Sequence, residues 1–156
     1  MKKVYEYIII FSAGAICYSL IEVLWRGFTH WTMAITGGVA LLTIYILNTK
    51  IISGTLYKRC LIGSFAITLI EFVVGFFVNI IYKMNVWNYS KIPFHILGQV
   101  CPRFTFFWFL LCFPATSFCL FIYKKIFSKP KKDNIYSFYQ KEPWVKLTAL
   151  LSVFSV

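Results

Sequence analysis

The sequence predicts an all-α membrane protein built on four transmembrane helices, and three observations carry that prediction. Of 156 residues, 60% are hydrophobic and 21% aromatic, while only 13% are charged, a balance that a soluble domain cannot carry without aggregating. Four apolar stretches reach or approach the roughly 20 residues needed to cross a hydrocarbon core. The 16 Lys and Arg, against 5 Asp and Glu, gather at the chain ends and in short connections, where they meet anionic headgroups. The net charge of +11 therefore points to membrane lipids as partners and not to nucleic acid.

The first span is expected over 4–25. Its start, MKKVYEYIII, is basic like a signal peptide, but the apolar run continues too far and no A-x-A-like cleavage site closes it, so it reads as a retained span. The second, 32–47, is the shortest and is expected to use Trp31 and Tyr45 as interface anchors or to lie at an angle. Its Gly37-Gly38 pair marks a close helix contact. The third is expected over 60–82 and the fourth over 104–123.

Between the last two runs YKMNVWNYSKIPFHILGQVCPRF. Trp87, Tyr89 and Phe94 suit an interface, and Pro93, Gly98 and Pro102 interrupt any regular helix. A structured outer loop is expected, a lid or shallow re-entrant segment, with Asn88, Ser90, His95 and Gln99 as hydrogen-bonding groups. After Tyr123 the lysines mix with Phe, Tyr and Trp. Residues 124–156 therefore read as a basic, aromatic tail on the membrane surface, ending in VKLTALLSVFSV, too short to span and expected as an interfacial helix. No Gly/Ser/Pro-rich linker divides the four-helix domain, 1–123, from this tail.

Twelve of the 16 basic residues fall on the side of the two termini and the 48–59 connection; only Arg26, Lys83, Lys91 and Arg103 fall on the other. The positive-inside rule then places both termini in the cytoplasm of a multi-pass cell-membrane protein.

Two of the five acidic residues, Glu22 and Glu71, lie in or at the edge of proposed spans, where a charged residue costs roughly 2.5 to 3.5 kcal/mol on insertion scales. Ser12, Ser19, Glu22 and Arg26 share one face of the first span; Ser64, Thr68, Glu71, Gly75, Asn79 and Tyr82 step by threes and fours along the third. The two stripes are expected to face each other, either as interhelical glue alone or around a polar cavity. Glu22 can pair with Arg26 at i, i+4. For Glu71 three partners stay open: Arg103, a proton retained through burial, or a cationic or hydrogen-bonding ligand. The candidate substrate-binding set is Glu22, Arg26, Glu71, Asn79, Asn88, His95, Gln99 and Arg103.

Other chemistries find little support. The five cysteines, at 17, 60, 101, 112 and 119, form no C-x-x-C pair and no zinc spacing with His30 and His95, so neither a metal nor a cofactor is expected. Cys17, Cys112 and Cys119 read as packing residues, while Cys101 falls in the loop. A Cys101/His95 nucleophilic pair lacks a third, orienting residue, and no catalytic residue is assigned. No G-x-x-x-x-G-K-[ST] occurs, so P-loop ATP hydrolysis would have to come from another chain.

Three blocks carry a resemblance: E-x-x-x-R-G-x-x-H-W from Glu22 to Trp31, E-F-x-x-G-x-x-x-N from Glu71 to Asn79, and W-x-Y-S-x-x-P-F-x-x-x-G-Q-x-C from Trp87 to Cys101. Together they resemble the ABC-transporter type IV, CmpB-like, family of permease-related bacterial membrane proteins, over roughly 8–123, with the tail outside. The chain differs from the family's usual pattern at Asn88, His95 and Pro102. The resemblance implies a permease-like transport component that works with a separate ATPase subunit or as a homo-oligomer, since four short spans enclose little volume. Two other readings stay open: a membrane-embedded enzyme acting on a lipid or prenyl substrate, with Glu71 or His95 as general base, and a holin-like or structural membrane protein.

Overall fold

A computed structural model describes residues 2–127, and four long helices account for most of them. The first, α1 (Lys2–Arg26), stops where Gly27 turns to φ +78° and returns its N–H to the Val23 carbonyl at 2.8 Å, a left-handed cap that glycine adopts without strain. His30, extended at φ −122°, then opens α2 (Trp31–Ile46), its ring accepting from the Thr32 N–H at 3.4 Å. α3 (Leu56–Gly75) follows a short turn, and α4 (Pro102–Ile122) starts with proline at its first turn, where the missing N–H has no helical partner to lose.

Three of these helices do not end where their regular bonding ends. α2, α3 and α4 run on into a wider turn of i to i+5 bonds, over Leu47–Ile51, Phe76–Ile81 and Tyr123–Phe127. These turns lengthen the candidate spans to Val4–Arg26, Trp31–Ile51, Leu56–Ile81 and Pro102–Ile126, of 23, 21, 26 and 25 residues, all long and apolar enough to cross a membrane. The second is thus longer than the expected 32–47. Its polar end is self-satisfied: Asn48 donates to the Ile44 carbonyl at 2.8 Å and Thr49 to the Tyr45 carbonyl at 2.7 Å. Trp31 is exposed as an interface anchor would be, but Tyr45 is fully buried, with its hydroxyl bonded to Glu6.

The helices associate as two close pairs, α1 with α2 and α3 with α4. Absent side chains make the first pair possible: a Cβ on Gly14 would stand 2.6 Å from the Gly37 carbonyl oxygen, and one on Gly37 only 2.3 Å from the Tyr18 Cβ. Small residues serve membrane helices in this way because lipid supplies no hydrophobic drive for association. Ile10, Ile44, Tyr45, Cys60, Ile67, Cys112 and Cys119 fill the centre. Cys17, expected among the packing residues, is instead exposed, while Cys112 and Cys119 are buried.

The two polar stripes do not meet as expected. α1 spends its small-residue face on α2, and Ser12 is exposed. The α3 stripe turns to α4 and the loop: the Thr68 hydroxyl donates to Thr105 at 3.1 Å, and a Cβ on Gly75 would come within 2.6 Å of the Gln99 side-chain oxygen. Pro114 sits inside α4, leaving the Leu110 carbonyl without its helical donor. Among the described residues there is no strand, only one isolated bridge, Ile96 to Val100, within the loop. The surface tail expected over 124–156, and its terminal helix, lie for the most part outside the described residues.

Candidate functional site

Glu71, one helical turn before the widened end of α3, is 2% exposed. Neutral donors occupy both of its carboxylate oxygens: the Trp108 indole N–H of α4 at 2.8 Å and the Tyr89 hydroxyl of the loop at 3.1 Å. Arg103, one of the partners left open by the sequence, is exposed on the first turn of α4 and is not among them. Tyr89 lies stacked on Phe104, with ring centroids 4.4 Å apart. Burial first, and then the Glu71 charge, pushes its phenol above the ordinary tyrosine range, so it stays a donor to the carboxylate.

A second acidic group approaches from α1. Glu22 forms an ion pair with Arg26, as the i, i+4 spacing predicts, and accepts from the Tyr18 hydroxyl at 3.4 Å. The side chains of Arg26 and Glu22 are only 20% and 12% exposed. Arg26 also donates to the Val86 carbonyl at 2.9 Å and lies over the Phe28 ring, its guanidinium carbon 5.0 Å from the centroid, while its Nε is buried without a partner. The Tyr18 ring then meets Trp108, centroids 5.5 Å apart. Glu22 and Glu71 are thus joined through Tyr18 and Trp108, with the loop held over them.

The loop is clamped by two residues of the expected set. Asn79 accepts from the Val86 N–H and donates to the Gln99 side-chain oxygen, both at 2.7 Å, and Gln99 takes the Trp87 indole N–H on its carbonyl at 3.0 Å. Both amides are buried and committed, so they position the loop and do not line the site. Asn88 and His95 are exposed, and each closes a turn of its own loop: Asn88 accepts from the Ser90 N–H at 2.8 Å, His95 from the Gly98 N–H at 3.0 Å. Cys101 is buried at the start of α4. Among the described residues, no group of three or more His, Cys, Asp or Glu is placed to hold a metal.

Beside this network a cleft of about 330 Å³ opens between α1 and α4, lined among others by Tyr18, Glu22, Trp25, Tyr89, Phe104 and Trp108. A second cavity of about 260 Å³ shares Tyr18, Ile21, Trp108 and Leu111 with it and continues to Pro114 and Phe118. The first is polar at one end, the second almost wholly apolar. Tyr18, Tyr89 and Trp108 were not picked out by the sequence as site residues. Their one signal is chemical: a buried tyrosine or tryptophan needs a partner for its polar tip, and a nearby buried carboxylate supplies it.

A family model described as "Putative ABC-transporter type IV" matches residues 10–141. The chain belongs to this family. Its match runs beyond 123 into the segment that the sequence resemblance left outside, so part of the basic tail is common to the family pattern. No curated protein and no solved structure matches the chain. With its four apolar helices, this member of the type IV family is a multi-pass membrane protein of a transport-related family.

Proposed function

We propose that this type IV family member is the permease-like component of a transport system, and that Glu22, Arg26 and Glu71 form the polar part of its substrate-handling site. The observation that carries the reading is Glu71: a carboxylate 2% exposed within a span, held by two neutral donors beside an open cleft. Packing alone has no need of an ionisable group at that depth, and such groups mark substrate or ion paths by default. Four helices enclose too little volume for a path through one copy, so the protein works with a second copy or with a separate ATPase subunit that supplies the P-loop this chain lacks. The charge distribution supports a loop on the outer side and both termini in the cytoplasm.

Affinity purification of the full chain from its native membranes in mild detergent tests this. A stoichiometric P-loop ATPase or a defined homo-oligomer is expected, together with solute flux in proteoliposomes that Glu71→Gln abolishes. Recovery of a monomer with no flux overturns it.

A further inference from the structure

The cleft has a chemistry of its own, set by what stands at its polar end. Around that end stand three ionisable groups, Glu22, Glu71 and Arg26, two carboxyl groups against one guanidinium. Arg26 is already committed to Glu22 and the Val86 carbonyl, and it is not among the residues that line the cleft. Glu71 stands one layer back, behind Tyr89 and Trp108, both of which face the cleft and hold its carboxylate. Among the described residues no cation is bonded to it. The wall in front of the two carboxylates is aromatic, with Tyr18, Trp25, Tyr89 and Trp108. A carboxyl group among aromatic side chains can attract an organic cation twice, through its charge and through the ring quadrupoles.

The remainder of the cleft determines the rest of the ligand. The adjoining cavity, which shares Tyr18, Ile21, Trp108 and Leu111 with the cleft, runs to Pro114 and Phe118 with almost no polar lining. α1 and α4 are not one of the closely packed helix pairs, so the cleft lies along a seam where neither helix is covered by the other. Trp25 at this seam is 71% exposed.

We propose that the α1–α4 cleft binds a cationic amphiphile of the alkylammonium type, with its head against Glu22 among Tyr18, Trp25, Tyr89 and Trp108 and its alkyl chain along the apolar extension toward Phe118. This rests on reading the cleft as the substrate site, and it names the substrate class: a ligand that reaches the protein from within the bilayer. Glu22 and the rings contact the head, while Glu71 acts across one layer of side chains.

The probe is radiolabelled decyltrimethylammonium, titrated onto the full chain in phosphatidylcholine nanodiscs, with empty nanodiscs subtracted. Saturable binding of about one per chain is expected, displaced by the unlabelled cation but not by equal concentrations of decyl maltoside or decyl sulfate. Glu22→Gln is expected to weaken it by roughly 10-fold or more. Equal displacement by the neutral or the anionic compound overturns the proposal, as does a folded Glu22→Gln protein that binds the cation unchanged. Should that variant fail to fold, the selectivity of the wild-type protein decides alone. Cation-selective binding without flux or partner leaves this site standing and removes the permease reading; flux without cation selectivity does the reverse.

Discussion

Replacing Glu71 by leucine and, separately, by glutamine divides the structural part of this residue from its charge. Leucine removes both acceptors and strands the Trp108 N–H and the Tyr89 hydroxyl, which bond the carboxylate at 2.8 and 3.1 Å. Polar contacts between membrane helices average about 0.6 kcal/mol and reach about 1.7, so the two together are worth about 1.2 to 3.4 kcal/mol. In the folding equilibrium that is a factor of roughly 8 to 300. Glutamine keeps an oxygen for Trp108 and turns its amide N–H toward the Tyr89 oxygen, so its effect is expected to stay under about 1 kcal/mol. Reversible unfolding in mixed micelles with increasing dodecyl sulfate measures all three proteins. Two results refute the reasoning. A leucine variant as stable as the parent means the bonds do not hold α4 and the loop. A glutamine variant as unstable as the leucine one means that the charge, and not the hydrogen bonding, does.

Three further predictions follow from other parts of the fold. Gly37→Ala drives a methyl to 2.3 Å from the Tyr18 Cβ; a loss of about 1 to 3 kcal/mol in the same unfolding assay is expected, and parent-like stability would show that α1 and α2 are not so close. Gln99→Ala removes the acceptor of the Asn79 amide, 2.7 Å away, so limited proteolysis should cut the loop between 83 and 100 faster while the helices stay protected; unchanged cleavage counts against the clamp. A green fluorescent protein fused to the C-terminus of the full chain should fluoresce and alkaline phosphatase there should be inactive, and the opposite pair of results reverses the orientation drawn from charge.

Hydropathy made the four helices legible, because each is apolar over a length that few soluble elements share. It misplaced the end of the second, since Asn48 read as lying beyond the span and is instead bonded within its prolonged helix, to the Ile44 carbonyl. The Glu22–Arg26 pair was legible because it is local, one turn apart on one helix. The partners of Glu71 were not: Tyr89 and Trp108 are distant in sequence and Tyr89 reads as an interface aromatic, so only the third dimension separates an anchor from a ligand of the carboxylate. The facing of the two stripes failed for a related reason. A polar face on a helix announces that something must cover it and does not say which neighbour does, and here Gly14 and Gly37 had already given α1 to α2.

The position of Glu71 also bears on how the protein is made. In chain order α3 precedes both the loop and α4, so the carboxylate reaches the bilayer before Tyr89 and Trp108 do. A charge at a helix centre opposes insertion by roughly 2.5 to 3.5 kcal/mol, and apolar residues favour it by roughly 0.3 to 0.6 each. The run Ile67, Leu69, Ile70, Phe72, Val73 and Val74 around Glu71 offsets much of that opposition before any partner is in place. The third helix can therefore be threaded alone, and the arrival of the last helix gives the buried carboxylate its bonds, making completion of the site the final event of biogenesis.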